Sequence, residues 1–140
     1  MIELPVTLIL LFSIATPAEG APASASLTVH LDCLKTREGV VRIALFDSAD
    51  THLKESVDSA SVSAGQGSVH WQSSDLPAGE YSLAIYHDVN DNGRLDKNFL
   101  GLPKEPYGFS NNLRARFGPP KWAKGKLTVA GATETRVCVE

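Results

Sequence analysis

The sequence predicts an all-β fold: an antiparallel β-sandwich of about seven strands, immunoglobulin-like or transthyretin-like, with one long ordered loop. Three observations predict it. Apolar and polar residues alternate in short runs such as LTVHLDC at 27–33, and a period of two marks a half-buried strand. Turn residues punctuate those runs, and no stretch carries the helical period of an amphipathic helix. With 140 residues, 43% hydrophobic and 21% charged, the chain suits one globular domain.

The elements follow in order. LPVTLILLFSI at 4–14 is apolar but too short to span a bilayer, and the small residues of ATPAEGAPASA follow it. That pattern reads as a secretory signal, residues 1–25, cleaved between Ala18 and Ser26, although Glu3 stands where Lys or Arg is usual. The domain is then 26–140, in the periplasm or outside the cell, with no membrane span once the signal is removed. Strand 27–33 leads through the polar turn KTREG at 35–39 into VVRIALFD at 40–47, with Val41, Ile43 and Leu45 on one face, and the two read as a hairpin. SADTHLKES at 48–56 is a loop or a single helical turn. VDSASVSA at 57–64 is a weak strand, GQG at 65–67 a turn, and SVHWQSS at 68–74 a further strand. In DLPAGEYSLAIYH at 75–87, Pro77 and Gly79 make a turn and Tyr81, Leu83 and Ile85 point to one side. GKLTVA at 125–130 and TETRVCV at 133–139 read as a closing hairpin through Gly131.

Between the last two groups lies an irregular stretch, 88–124, broken by glycines and prolines. Loops of that length in small domains are functional or disordered. Phe99, Leu100, Tyr107, Phe109, Phe117 and Trp122 make this one too apolar for disorder. It is expected to pack across the sandwich and to carry the site.

Cys33 and Cys138 are the only cysteines. An even pair in an exported chain favours a disulfide joining the first strand to the last; the other reading is two separately buried thiols. One difficulty stands: Cys33 follows the apolar positions Leu27, Val29 and Leu31, whereas Cys138 alternates with Glu134 and Arg136. A bulge or an edge position reconciles the two faces.

Asp88, Asn90, Asn92, Gly93, Arg94 and Asp96 match the spacing D-x-[DN]-x-[DN]-G of a calcium loop. Asp88, Asn90, Asn92 and Asp96 supply side-chain oxygens in that reading and Arg94 its backbone carbonyl. Position 12 is Phe99 instead of a bidentate Glu, so the stretch is not an EF-hand. Calcium binding would be weak, in the range of about 10⁻⁴ to 10⁻³ M seen for extracellular modules. The other reading is a metal-free turn whose Asn and Asp side chains cap their own backbone.

AIYHDVNDNGRLDKNFLGLPKEPYGFSNN, Ala84 to Asn112, resembles the hallmark segment of a bacterial exported family, domain of unknown function 2141. His87-Asp88, Asn92-Gly93 and the run from Leu95 to Asn112 carry the likeness. VVRIALFDS and LPAGEYSLAIYHD are similar to that family's earlier strands. The resemblance implies a small β-sandwich in the periplasm or outside the cell, and no activity.

The remaining chemistry is sparse. Zinc spacings are absent, as is G-x-S-x-G around any serine. His87, beside Asp88 at the mouth of the loop, is a general base in a small-hydrolase reading and a structural hydrogen-bonding group otherwise. Ser110 lies in YGFSNN, a pocket or a packing segment. Removing 1–25 takes away Glu3 and Glu19, so the formal net charge moves from −3 to −1, which disfavours nucleic acid as a partner. Residues 75–96 are acidic and 104–126 basic, and the two are expected to pair. A second reading makes Arg114, Arg116, Lys121, Trp122 and Lys124 a contact surface for a protein, glycan or envelope component. The reading taken forward is an exported, non-catalytic binding or structural module with a calcium-type site. The small hydrolase is the alternative.

Overall fold

The computed structural model describes residues 23–140. The expected signal segment lies outside these residues except for its last three, and Ser24 and Ala25 already belong to the first strand.

Among the described residues eight strands form two sheets packed face to face. In the first sheet β1 (Ser24–Asp32) lies between β4 (Val69–Pro77) and β8 (Ala132–Cys138). In the second, β3 (Asp58–Ser63), β2 (Val40–Phe46), β5 (Gly79–Asp88) and β6 (Tyr107–Phe109) follow in that order, and β7 (Leu127–Val129) pairs with the start of β5. The all-β sandwich expected from alternation is present. Its inner faces are the predicted apolar positions: Leu27, Val29 and Leu31 from β1, Val41, Ile43 and Leu45 from β2, and Tyr81, Leu83 and Ile85 from β5, all buried. Fully burying one such aliphatic side chain is worth about 1.5–3 kcal/mol, so this seam holds the sheets together.

Both expected hairpins are absent. β1 and β2 lie in different sheets, because the chain crosses the sandwich at 33–39. β7 and β8 likewise part at Gly131: β7 pairs with β5, and β8 pairs with β1. Pro77 and Gly79 also mark a change of sheet, between β4 and β5. A tight turn and a corner use the same residues, and both present alternating apolar side chains to one core, so the pattern does not distinguish them. The sandwich is antiparallel except for β1 and β8, which run parallel. That places the two ends of the domain side by side, with Asp32 opposite Cys138.

The parallel pair answers the cysteine difficulty. Cys33 and Cys138 are bridged, with Cα atoms 5.1 Å apart. Cys33 lies one residue beyond β1 at φ 66°, and this left-handed turn takes its side chain off the core face to which alternation assigned it. Cys138 ends β8, an edge strand of the first sheet, so the expected edge position is present as well.

The stretch after β5 is ordered. It contains β6, a 3₁₀ turn at Ser110–Asn112 and a single-turn helix, α1 (Trp122–Gly125). Among the described residues no helix is long and apolar enough to cross a membrane.

Candidate functional site

The long excursion leaves β5 at Asp88, whose side chain is wholly buried. Its two oxygens meet three donors. Oδ1 accepts the Asn92 N–H at 3.0 Å, and Oδ2 accepts the Gly93 N–H at 2.9 Å and Nε of Arg42 at 2.6 Å. Arg42 sits on the outer face of β2 and also reaches Asp91 Oδ1 at 2.8 Å and Ser61 Oγ at 3.0 Å. Burial pushes the Asp88 carboxyl up. The Arg42 hydrogen bond, the Gly93 and Asn92 amides and the Arg42 charge outweigh it, and the group titrates below the usual aspartate range. Gly93 takes φ 84°, which lets the backbone fold back onto that carboxylate; a side chain there is strained.

Asp96 closes a second ring. It accepts Nδ2 of Asn90 at 2.7 Å and Nδ2 of Asn92 at 2.9 and 3.0 Å. The bonds from Asn92 and Asn90 lower its pKa, against burial. Glu105 ties the two strands of the loop together: Oε1 accepts the Val89 N–H and Oε2 the Asp96 N–H, each at 3.0 Å. Thus Asp88, Asn90, Asn92 and Asp96 do converge on one turn, and Arg94 lies beside it, its N–H donating to Asn92 Oδ1 at 3.1 Å. The oxygens face N–H groups throughout. Among the described residues no three His, Cys, Asp or Glu side chains form a metal-holding group.

The segment YGFSNN fastens the far end. Ser110 is buried, donates to Gly125 O at 2.5 Å and accepts the Leu83 N–H at 3.0 Å. Asn111 Nδ2 donates to the carbonyls of Lys124 and Lys126, and Asn112 Oδ1 accepts the Cys138 N–H at 2.8 Å. Half-buried His52 bonds Ser82 Oγ through Nδ1 and Pro120 O through Nε2, both at 2.9 Å, with its ring edge-on to Phe46 and Trp122. With Nε2 donating to a carbonyl, Nδ1 is left to accept from the serine; His52 is a clamp.

His87 points into the core, fully buried, with Nε2 donating to Glu38 O at 2.7 Å and Nδ1 without a partner among the described residues. Strand alternation sends Asp88 to the opposite face, so the two side chains do not make an acid–base pair. Glu80 meets Lys126 at 2.8 Å, an instance of the expected pairing between acidic and basic stretches. Arg114 pairs with Glu140 of the C-terminus. Trp122 packs on His52, and Lys121 and Lys124 flank or occupy the short helix.

Arg116 lines a groove. It measures about 750 Å³ and lies over the outer face of the second sheet. Its floor includes Ala44 and Ala84, directly opposite each other on β2 and β5. Tyr86, Tyr107 and Phe109 form aromatic walls, and two arms of the excursion, 95–103 and 115–119, reach over the sides. Four large apolar side chains on those arms face solvent, Phe99 at 96% and Phe117 at 103% exposure, with Leu100 and Leu102 beside Phe99.

The model of a family described as an uncharacterized protein conserved in bacteria, domain of unknown function 2141, matches residues 29–137. The chain belongs to this family. No curated protein and no solved structure matches it. Domain of unknown function 2141 is here a two-sheet β fold with an internal disulfide, a bridge compatible with an exported protein.

Sequence reasoning overlooked Arg42, Glu105 and His52, three of the side chains that hold the excursion of this family member in place. Arg42 had a signal, a lone cation in the apolar run VVRIALFD, but its partner Asp88 is brought opposite only by the register that sets Val40 against Asp88. The groove floor had a weaker one: the alanines of RIALF and LAIYH interrupt otherwise large strand residues.

Proposed function

We propose that this protein is an exported binding module whose ligand lies in the groove over the second sheet. The groove itself carries the reading. Its volume of about 750 Å³ falls in the range of about 300–1,000 Å³ typical of small-molecule sites. Aromatic and aliphatic walls around a small-residue floor suit an apolar ligand. The groups considered for catalysis support a non-catalytic role: His87 is buried against a backbone carbonyl, and Ser110 is committed to two backbone partners.

In this reading the polar turn at 88–105 is the abutment that holds one arm over the groove. A calcium-type ion at Asp88, Asn90, Asn92, Asp96 and the Arg94 carbonyl would reinforce it. Calcium takes oxygens only, so the Asn90 and Asn92 amides would have to turn their oxygens toward Asp96, and the ion would compete with Arg42 for Asp88. A calcium titration to about 10 mM, roughly ten or more times the expected Kd, decides the point: an unchanged Tm leaves the internal network as the sole support.

The groove is tested with a neutral environment-sensitive probe, N-phenyl-naphthylamine. Its fluorescence should rise on adding the protein, and Ala44→Leu, which fills the floor from the solvent side, should abolish the rise without lowering Tm. No enhancement in the unaltered protein would remove the reading.

A further inference from the structure

The groove is apolar along its length and one-signed in charge. Its lining includes Arg42, Lys97 and Arg116 and not one Asp or Glu, in a chain whose formal net charge is −3. Arg42 is spent on Asp88 and Asp91. Lys97 and Arg116 form no ion pair among the described residues, and they stand on the two different arms. Two cations without counter-charges, on arms over a floor of facing alanines between aromatic walls, make a site with charged sides and an apolar track. Water solvates the cations well until an anion arrives, whereas it solvates the track poorly at all times.

We infer that the groove takes a singly charged anionic amphiphile, an alkyl chain lying across Ala44 and Ala84 with its carboxylate or phosphate between Lys97 and Arg116. This rests on the groove being the binding site, as proposed above. The chemistry is shared by free fatty acids and by the anionic lipids of a membrane. The exposed apolar side chains at 99, 100, 102 and 117 lie on the same two arms, and they give a chain leaving a bilayer or a micelle an apolar first contact. Neutral and cationic amphiphiles fit the track and lack the complement to its two cations.

Displacement of N-phenyl-naphthylamine by saturated acids from octanoate to palmitate, each beside the alcohol of equal length, tests the inference. Acids should bind about tenfold more tightly than their alcohols, the size expected of two exposed charge contacts. Each added methylene should tighten binding roughly three- to fourfold until the track is full. The double variant Lys97→Gln, Arg116→Gln changes two exposed side chains and should bring acid and alcohol to within about twofold of each other, as should 1 M salt, which cuts the screening length to about 3 Å. Ala44→Leu should end binding of both. Retention of the protein on phosphatidylglycerol vesicles and not on phosphatidylcholine vesicles marks a membrane source. Palmitate binding without retention marks the free acid. Equal displacement by acids and alcohols in the unaltered protein overturns the inference and leaves an apolar groove standing. Probe binding with no displacement by any chain length also overturns it. Failure of the probe to bind removes the groove reading as well.

Discussion

The strands and the excursion solve one problem in opposite ways. Every buried backbone N–H and C=O needs a partner. In the strands the ladder supplies partners regardless of side chain, so residues are chosen for burial. The buried side chains of Leu27, Val29 and Leu83 have no polar atom to satisfy. Between Asp88 and Lys126 the ladder is nearly gone, and particular side chains take its place: Asp88 for the amides of Asn92 and Gly93 and Glu105 for those of Val89 and Asp96, while Ser110 and Asn112 reach back to the strand amides of Leu83 and Cys138. A strand tolerates exchange among apolar residues of similar volume. The excursion does not, because each capping group is specific in length and chemistry.

The comparison breaks most visibly where the strands are attacked. Leu27→Ala, in the fully buried seam, should lower unfolding free energy by about 2–5 kcal/mol, read as a shifted urea midpoint with every probe moving together. Removing the bridge with Cys33→Ala and Cys138→Ala should cost about 2–4 kcal/mol, again globally, since it ties the end of β1 to the end of β8. A smaller, local effect is expected from Ser110→Ala. It orphans the Leu83 amide and the Gly125 carbonyl at about 1–3 kcal/mol, and hydrogen exchange should quicken over 107–126 before the inner strands respond. If Ser110→Ala instead loosened β1 and β4 equally, excursion and strands would be one cooperative unit and the contrast would fail.

Acid sharpens the same line. Asp88 and Asp96 titrate below the ordinary carboxyl range in the folded protein. A depressed folded pKa means that the unfolded chain takes up protons first. The stability these groups contribute is therefore complete above the unfolded pKa of about 3.9 and drains away as pH falls through the folded values. The urea midpoint should hold from pH 7 to about pH 5 and drop below pH 4. Asp96→Asn should flatten part of that drop at the cost of a small loss at pH 7. An identical acid limb in that variant would take Asp96 out of the network. The smallest effect should come from Lys97→Gln, an exposed side chain, within about 0.5 kcal/mol of the parent in stability.

Alternation by itself determined the inner faces of β1, β2 and β5, because a side chain's face depends only on its neighbours in the chain. The D-x-N-x-N-G spacing likewise marked the turn at 88–96, and the even cysteine count marked the bridge, since turn chemistry and oxidation are written in residue type. Tertiary structure decided the rest. Whether Gly131 closes a hairpin or turns a corner depends on which sheet receives β8. Whether Asp88 faces an ion or Arg42 depends on the register of β2 against β5. The groove exists only where two arms distant from Ala44 in sequence come to lie above it. Each is a relation between residues far apart along the chain, and a local pattern carries no record of the distance that folding removes.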